Sequence, residues 1–167
     1  GKEKQAMINL FFEGETEYNR DNKLQLEALL EVLNIDIIEK LREEMSGIYG
    51  GGMNGSVLKR PYEHYTVQAT LPCGPENVEK LTTALLGIIT NAQEKGILQK
   101  DLDKVKETWK KQYRTEMQSN DYWLDNLSNA FINNSNPEDI LDYEKRVDAL
   151  TVQDLQNAAK KFLDQKN

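Results

Sequence analysis

The sequence is poor in residues that form disulfides or bind metals, with one cysteine, Cys73, and one histidine, His64, among 167 residues. A single cysteine excludes an internal disulfide and leaves the redox compartment open. A single histidine excludes any self-contained metal site with two histidine ligands. We therefore assign no metal ligand in this chain and expect no catalytic metal centre within it.

Cations are outnumbered by anions, and long apolar runs are scarce. The chain has 21 lysines and arginines against 28 aspartates and glutamates, which gives a formal net charge of −7. A protein that follows the phosphates of a nucleic acid needs a basic stripe, so we expect no nucleic-acid partner. The apolar clusters are far too short to span a bilayer, so we also expect no transmembrane segment.

Hydrophobic residues nevertheless make up 38% of the chain and lie in clusters, which indicates a packed core. The length is typical of one domain, so we treat residues 1–167 as a single domain. The chain opens with Gly1 in place of an initiator methionine. We interpret it as a fragment of a longer protein.

The first part of the chain predicts three strands and one long helix. An apolar run over residues 5–13 is typical of a buried strand. Apolar residues at spacings of three and four over residues 19–45 predict a helix that ends at Gly47. Residues 48–57 and 62–71 predict two strands that pair as an antiparallel hairpin, and the second has the clearest period of two.

The rest of the chain predicts helices alone. They begin near Glu76, near Asp101, which can cap its helix, and near residues 121, 138 and 152. Strands that precede a run of helices favour an α+β fold, in which helices pack on one face of an antiparallel sheet. The sequence has no strand pattern after the last predicted helix.

Two motifs that suggest nucleotide binding or catalysis lack the context that this chemistry needs. Residues 50–55 match G-x-G-x-x-G, but a dinucleotide site needs a strand before the glycines and a helix after them, and here the order is reversed. Cys73 has no base beside it, because the only histidine lies at the other end of the same predicted strand. His64 itself fits a surface or half-buried position on a sheet.

Arg42 and Tyr49 are the candidate functional pair. Arg42 falls in the last turn of the predicted long helix, and Tyr49 opens the glycine-rich strand that follows. A guanidinium offers a fixed fork of donors, and a phenol can donate to an oxyanion. The glycines after Tyr49 let an extended peptide approach the strand edge. In the alternative interpretation, Arg42 balances the helix dipole and Tyr49 is a core aromatic residue.

A family resemblance begins at residues 41–49, LREEMSGIY, which are similar to the LR-E-x-x-G-x-x-Y segment of the pitrilysin-type (M16) zinc metallopeptidases. As in that family, the segment follows a long helix and precedes a Gly/Ser-rich strand. Further matches are Ser56, Pro61, YTV at 65–67, CGPENV at 73–78, the step from Gly96 to Lys104, and TVQDL at 151–155. Each match is loose, but together they cover almost the whole chain in the family's order and spacing.

The resemblance implies a half-domain of the M16 peptidase (LuxS/MPP-like metallohydrolase) type whose closing strand is missing. Family members pair similar α+β domains around a peptide substrate, and the catalytic half carries a His-x-x-Glu-His zinc motif. This chain has no such motif, so it resembles part of the non-catalytic C-terminal half. Zinc then belongs to the catalytic half, which lies in the same protein or in a partner subunit.

The resemblance also implies roles for individual residues. Arg42 would bind a substrate carbonyl and Tyr49 would stabilise the tetrahedral oxyanion, with Gly50 and Gly51 beside the peptide. The run of three glycines that begins at Gly50 is richer in glycine than the family usually shows. The parent protein would be a bacterial zinc endopeptidase, with a periplasmic or cell-envelope location favoured over the cytoplasm.

Two other interpretations stay open. A family relative that has lost catalysis could act as a structural or assembly subunit, and an upstream His-x-x-Glu-His in the parent protein would distinguish the two cases. An unrelated α+β interaction module with chance similarity is the third interpretation, since shared motifs alone do not establish function.

Overall fold

The structure is a computed structural model that describes residues 4–165, so Gly1 lies outside the described residues. One antiparallel sheet with the strand order β1-β3-β2 is formed by β1 (Ala6–Glu15), β2 (Gly52–Leu58) and β3 (His64–Cys73). The helices in this range are α1 (Arg20–Ile37), α2 (Val78–Glu94), α3 (Gln99–Glu116), α4 (Asn120–Asn133), α5 (Tyr143–Ala149) and α6 (Val152–Phe162). A π-helix, Ile38–Glu44, continues α1, and short 3₁₀ segments, Pro75–Asn77 and Pro137–Asp142, precede α2 and α5. The predicted α+β fold is confirmed, and no strand follows α6 in residues 4–165.

One face of the sheet is packed and the other is open. Along β3, the buried residues Tyr65, Val67, Ala69 and Leu71 alternate with half-exposed ones. Helix α1 packs against β2, while α2 and α6 pack against β1. The ring of Phe162 in α6 meets the ring of Tyr65 edge-on, with the centroids 4.9 Å apart. The predicted packing of helices on one face of the sheet is confirmed.

The long helix over residues 19–45 is confirmed, but its end differs from the prediction. Asn19 caps α1, because its side chain accepts a hydrogen bond from the Asn22 backbone at 2.8 Å. At the other end, Ser46 takes the left-handed conformation, with φ of 47°, and Gly47 does not. A Cβ on Gly47 would lie 2.6 Å from the Leu81 side chain. Gly47 therefore allows α2 to pack closely and is not the C-cap.

Two other boundaries differ from the prediction. Helix α3 begins at Gln99, so Asp101 is not its cap and instead lies buried in the first turn, 3.3 Å from the Lys104 ammonium. Strand β3 continues through Pro72 to Cys73, where we predicted a break. Pro72 lacks an N–H, but it is tolerated because β2 begins only at Gly52. No residue of β2 therefore lies opposite Pro72 to accept a hydrogen bond from it.

The outer edge of β1 has no strand beside it in residues 4–165, since β1 pairs with β3 alone. The Thr16 N–H donates to the Glu63 carbonyl oxygen at 3.4 Å. The backbone N–H and C=O groups of even-numbered residues in β1 therefore point toward β3. The backbone groups of odd-numbered positions such as Phe11 then point outward. Unpaired N–H and C=O groups of this kind recruit other strands.

We therefore expect the chain to self-associate through β1 at high concentration, which sedimentation velocity measures. Phe11→Pro removes the outward N–H and should restore the monomer, because proline is tolerated on an edge strand. Phe11→Thr removes the exposed ring but keeps the N–H, so it serves as the control for side-chain stickiness. A strictly monomeric wild-type chain would contradict the prediction.

Candidate functional site

The open face of the sheet forms a shallow groove of about 380 Å³. Its floor is a set of short or polar side chains from all three strands, with one large ring, and includes Phe11, Glu13, Asn54, Ser56, Thr66 and Gln68. Phe11 is 67% exposed and pairs across the sheet with Gln68, which in turn pairs with Asn54. The groove thus has polar groups on its floor and an apolar contact at one side.

Arg42 lies in the last turn of the π-helix that continues α1. Its side chain is exposed, and no hydrogen bond or ion pair joins it to another residue in the described range. A cation at this position interacts favourably with the negative end of the helix dipole. The guanidinium is therefore compatible with the dipole interpretation and is also free to bind a carbonyl group.

The sequence predicted that Tyr49 opens the glycine-rich strand. In the structure it lies instead in a bend before β2, which begins at Gly52. Ile48 forms only an isolated bridge with Cys73, and the Tyr49 N–H donates to the Pro72 carbonyl oxygen at 3.1 Å. The Tyr49 side chain is 64% exposed. The interpretation of Tyr49 as a core aromatic residue is therefore wrong, and its hydroxyl is available to a ligand.

The glycines after Tyr49 differ in what they require. Gly51 has φ of 91°, and a Cβ there would overlap the Thr70 carbonyl oxygen. Gly50 has no atom within 4 Å of the position that a Cβ would take. Gly51 is thus needed for the local backbone, whereas Gly50 leaves open space through which a ligand can approach.

Asn34 of α1 is a residue of this region that sequence analysis missed. Its Nδ2 donates to the Met53 carbonyl oxygen at 2.9 Å, and its Oδ1 accepts from the Met53 N–H at 2.7 Å. The amide therefore takes the place of a neighbouring strand on the outer edge of β2. The available signal was a polar residue one turn after Leu30, within the apolar stripe of the helix. An extended peptide pairs with Met53 only if it displaces this side chain.

The fold is shared with solved structures of peptidases. The chain superimposes on the periplasmic protease PqqL from Escherichia coli with a TM-score of 0.83 and 21% identity, over 98% of this chain and 18% of that one. It superimposes on the peptidase M16 inactive domain from Pseudomonas fluorescens with a TM-score of 0.70 and 17% identity, over 98% of this chain and 39% of that one. The chain has the fold of the M16 peptidases. A protease from Helicobacter pylori matches over 95% of this chain and 38% of that one, with a TM-score of 0.78 and 17% identity.

The M16 fold extends over almost all of this chain, whereas the chain spans only a minor part of these three proteins. No protein-family model and no curated protein matches the sequence. The half-domain architecture that the motifs implied is confirmed by the fold. Chance similarity of short motifs does not explain a fold match of this extent, so the interpretation as an unrelated module loses its support.

Zinc, which the M16 resemblance implies for the catalytic half, does not fit the residues described here. Among residues 4–165, no three His, Cys, Asp or Glu side chains come close enough to hold a metal ion. The His64 Nδ1 lies 2.6 Å from the Tyr62 carbonyl oxygen. The Cys73 thiol is fully buried, and its pKa is raised, first by burial and then by the nearby charge of Glu76. A thiol held in its protonated form is a poor nucleophile.

Within residues 4–165, every helix is too short or too polar to cross a bilayer.

Proposed function

We propose that the chain is a non-catalytic part of a bacterial M16-type zinc endopeptidase that encloses peptide substrate together with the catalytic half. The observation that carries the proposal is the exposed Tyr49 ring in the bend that follows the π-helix, together with the unpaired Arg42 in the last turn of that helix, at the positions that match the family's motif. We place the zinc ion in the other half, either within the same protein or in a partner subunit.

The chemistry of the two side chains fits that task. The guanidinium of Arg42 donates to a backbone carbonyl oxygen of the peptide, which orients the substrate. The Tyr49 hydroxyl donates to the oxyanion that forms when the scissile carbonyl is attacked. Gly50 offers room for the peptide backbone, because no atom lies within 4 Å of its absent side chain. Gly51 maintains the backbone conformation that precedes β2.

The open sheet face supports the enclosing role. All the helices that pack on the sheet lie on the other face, so the groove of about 380 Å³ is free to face a bound peptide. Its amide and hydroxyl groups can bind peptide backbone without selecting a single side chain, and Phe11 adds an apolar contact. Backbone-directed contacts of this kind suit a protease that accepts varied peptides.

The proposed location of the parent protein is the periplasm or cell envelope. The structure with the same fold from Escherichia coli is described as a periplasmic protease. The single cysteine, Cys73, is compatible with an oxidising compartment because it has no second cysteine with which to form an internal disulfide.

The test is an Arg42→Ala variant of the full-length protein, with kcat/KM measured on a peptide substrate. Loss of a hydrogen bond from a charged donor costs about 1.5–3 kcal/mol, so we expect a decrease of roughly 10- to 150-fold. Arg42→Lys keeps the charge but removes the fork of donors and should recover only part of the activity.

The matched control is Arg60→Ala. Arg60 is another exposed arginine, which lies between β2 and β3 and whose guanidinium donates to the Ile132 carbonyl oxygen at 3.3 Å. It should leave kcat/KM unchanged. If Arg42→Ala behaves like Arg60→Ala, or if the parent lacks a His-x-x-Glu-His motif, the alternative function as a structural or assembly subunit is favoured.

A further inference from the structure

A second cavity, of about 430 Å³, lies on the helical side of the molecule among α1, α3, α4 and α5. Its walls are aromatic and come from three of these helices, with Trp109 and Tyr113 on α3, Tyr122 on α4 and Tyr143 at the start of α5. Trp109 and Tyr113 are four residues apart, so they lie on one face of their helix. We call this space the aromatic cavity.

The rings of the aromatic cavity form a fixed cluster. The centroids of Tyr113 and Tyr143 are 5.0 Å apart, and those of Tyr113 and Tyr122 are 6.1 Å apart in an edge-to-face arrangement. The Tyr113 hydroxyl donates to the Ile140 carbonyl oxygen at 2.8 Å, which anchors the central ring. Rings held in this way lose little further conformational entropy when a ligand binds.

Carboxylates complete the lining. Glu27 and Glu31 come from successive turns of α1, and Glu116 comes from the end of α3. Glu116 accepts a hydrogen bond from Gln112 at 2.7 Å, but no salt bridge reaches any of the three within residues 4–165. The lining contains no lysine or arginine. The cavity therefore combines three acidic groups with an aromatic wall and no cation of its own.

Two arginines of this region have partners outside the cavity lining. Arg20 pairs with Asp139 at 2.7 Å, and Arg146 pairs with Asp21 at 2.9 Å. Lys23 lies 5.3 Å from the centre of the Tyr18 ring, and its charge also lowers the pKa of Glu27. Burial is the larger effect and raises the pKa of Glu27, with the charge of Glu31 acting in the same direction. No cation in the cavity lining therefore balances the charge of the three carboxylates.

We propose that the aromatic cavity binds one cationic side chain, an arginine or lysine that a partner polypeptide presents. A cation over aromatic faces gains roughly 0.5–2 kcal/mol, and the carboxylates at the cavity rim add charge complementarity. The net charge of −7 draws basic partners toward the chain. The cavity is on the side of the sheet opposite to the open groove. This interaction therefore does not depend on Arg42 or Tyr49.

The test uses three peptides and the 167-residue chain. Acetyl-Gly-Arg-Gly-amide and its lysine counterpart should shift the indole N–H resonance of Trp109 saturably in NMR spectra, assigned with a Trp123→Phe variant. Acetyl-Gly-citrulline-Gly-amide has nearly the same shape without the charge and should bind at least tenfold more weakly. Comparison of the arginine and lysine peptides shows which cation the cavity prefers.

Variants separate the cavity from general attraction to an acidic protein. The double variant Glu27→Gln/Glu31→Gln should weaken binding of the arginine peptide at least tenfold. Glu43→Gln/Glu44→Gln makes the same charge change on the exposed π-helix and should leave affinity unchanged. Tyr122→Leu keeps all charges but removes a ring, and should weaken binding by about 2- to 30-fold.

Three results would overturn the proposal: equal binding of the citrulline peptide, equal weakening by the two double variants, or no saturable shift at Trp109. Thermal unfolding of each variant shows that the fold is retained. The proposed protease function survives any of these results, because the two sites share no residues.

Discussion

Tyr49→Phe is expected to lower kcat/KM of the full-length protein by a factor on the order of 10²–10³, because it removes one donor to the oxyanion. The side chain is 64% exposed, so loss of the hydroxyl leaves no buried group without a partner. The free energy of unfolding should change by less than about 0.5 kcal/mol. Initial rates on a peptide substrate, measured beside thermal unfolding of the same preparations, check both statements.

Tyr62→Phe is the matched control. Tyr62 is 58% exposed and its ring stacks near His64, with the centroids 4.6 Å apart, in the turn between β2 and β3. It should keep wild-type kinetics. If Tyr49→Phe also keeps wild-type kinetics in a parent protein that has the zinc motif, Tyr49 has no part in the reaction and its proposed role fails.

Gly51→Ala should destabilise the fold by at least about 2 kcal/mol. An L-residue at φ of 91° is strained, and its Cβ would overlap the Thr70 carbonyl oxygen, which belongs to the backbone of the central strand and cannot move away cheaply. For a domain of this size, a loss of this magnitude lowers Tm by roughly 4–8 °C. Differential scanning calorimetry measures it directly.

Gly50→Ala is the neighbouring control and should leave Tm unchanged, because no atom lies within 4 Å of the new methyl group. The pair also separates two roles. A methyl group at residue 50 that leaves Tm unchanged but raises KM would indicate that the peptide backbone passes close to Gly50. Equal losses of stability at residues 50 and 51 would show that the backbone conformation described for this turn is wrong.

The strands and helices were predictable because their signals are local. Alternation along β3 and the leucine spacing of α1 follow directly from burial of one face, and Thr151 with Asp154 forms a capping box at the start of α6. The errors lie where tertiary contacts decide. Gly47 looked like a helix terminator, but its close approach to Leu81 of α2 is a packing requirement that no local pattern shows.

The candidate site was predictable in part and for a different reason. A motif singled out Arg42 and Tyr49 as candidates. The exposure of Tyr49, however, depends on a bend whose glycines allow several backbone conformations. The π-helix that carries Arg42 has the same side-chain composition as an α-helix, so periodicity does not distinguish them. The aromatic cavity depends on side chains from four helices, and only the packed structure brings them together.

The amide of Asn34 also limits the size of any assembly that β1 forms. Two copies joined along β1 make a closed pair about a twofold axis, in which each copy offers the same surface. Growth beyond the pair needs a second adhesive edge on each copy. On β2 the Met53 groups are already bound by Asn34, and α1 packs along the strand. Association should therefore stop at the dimer and give no filament.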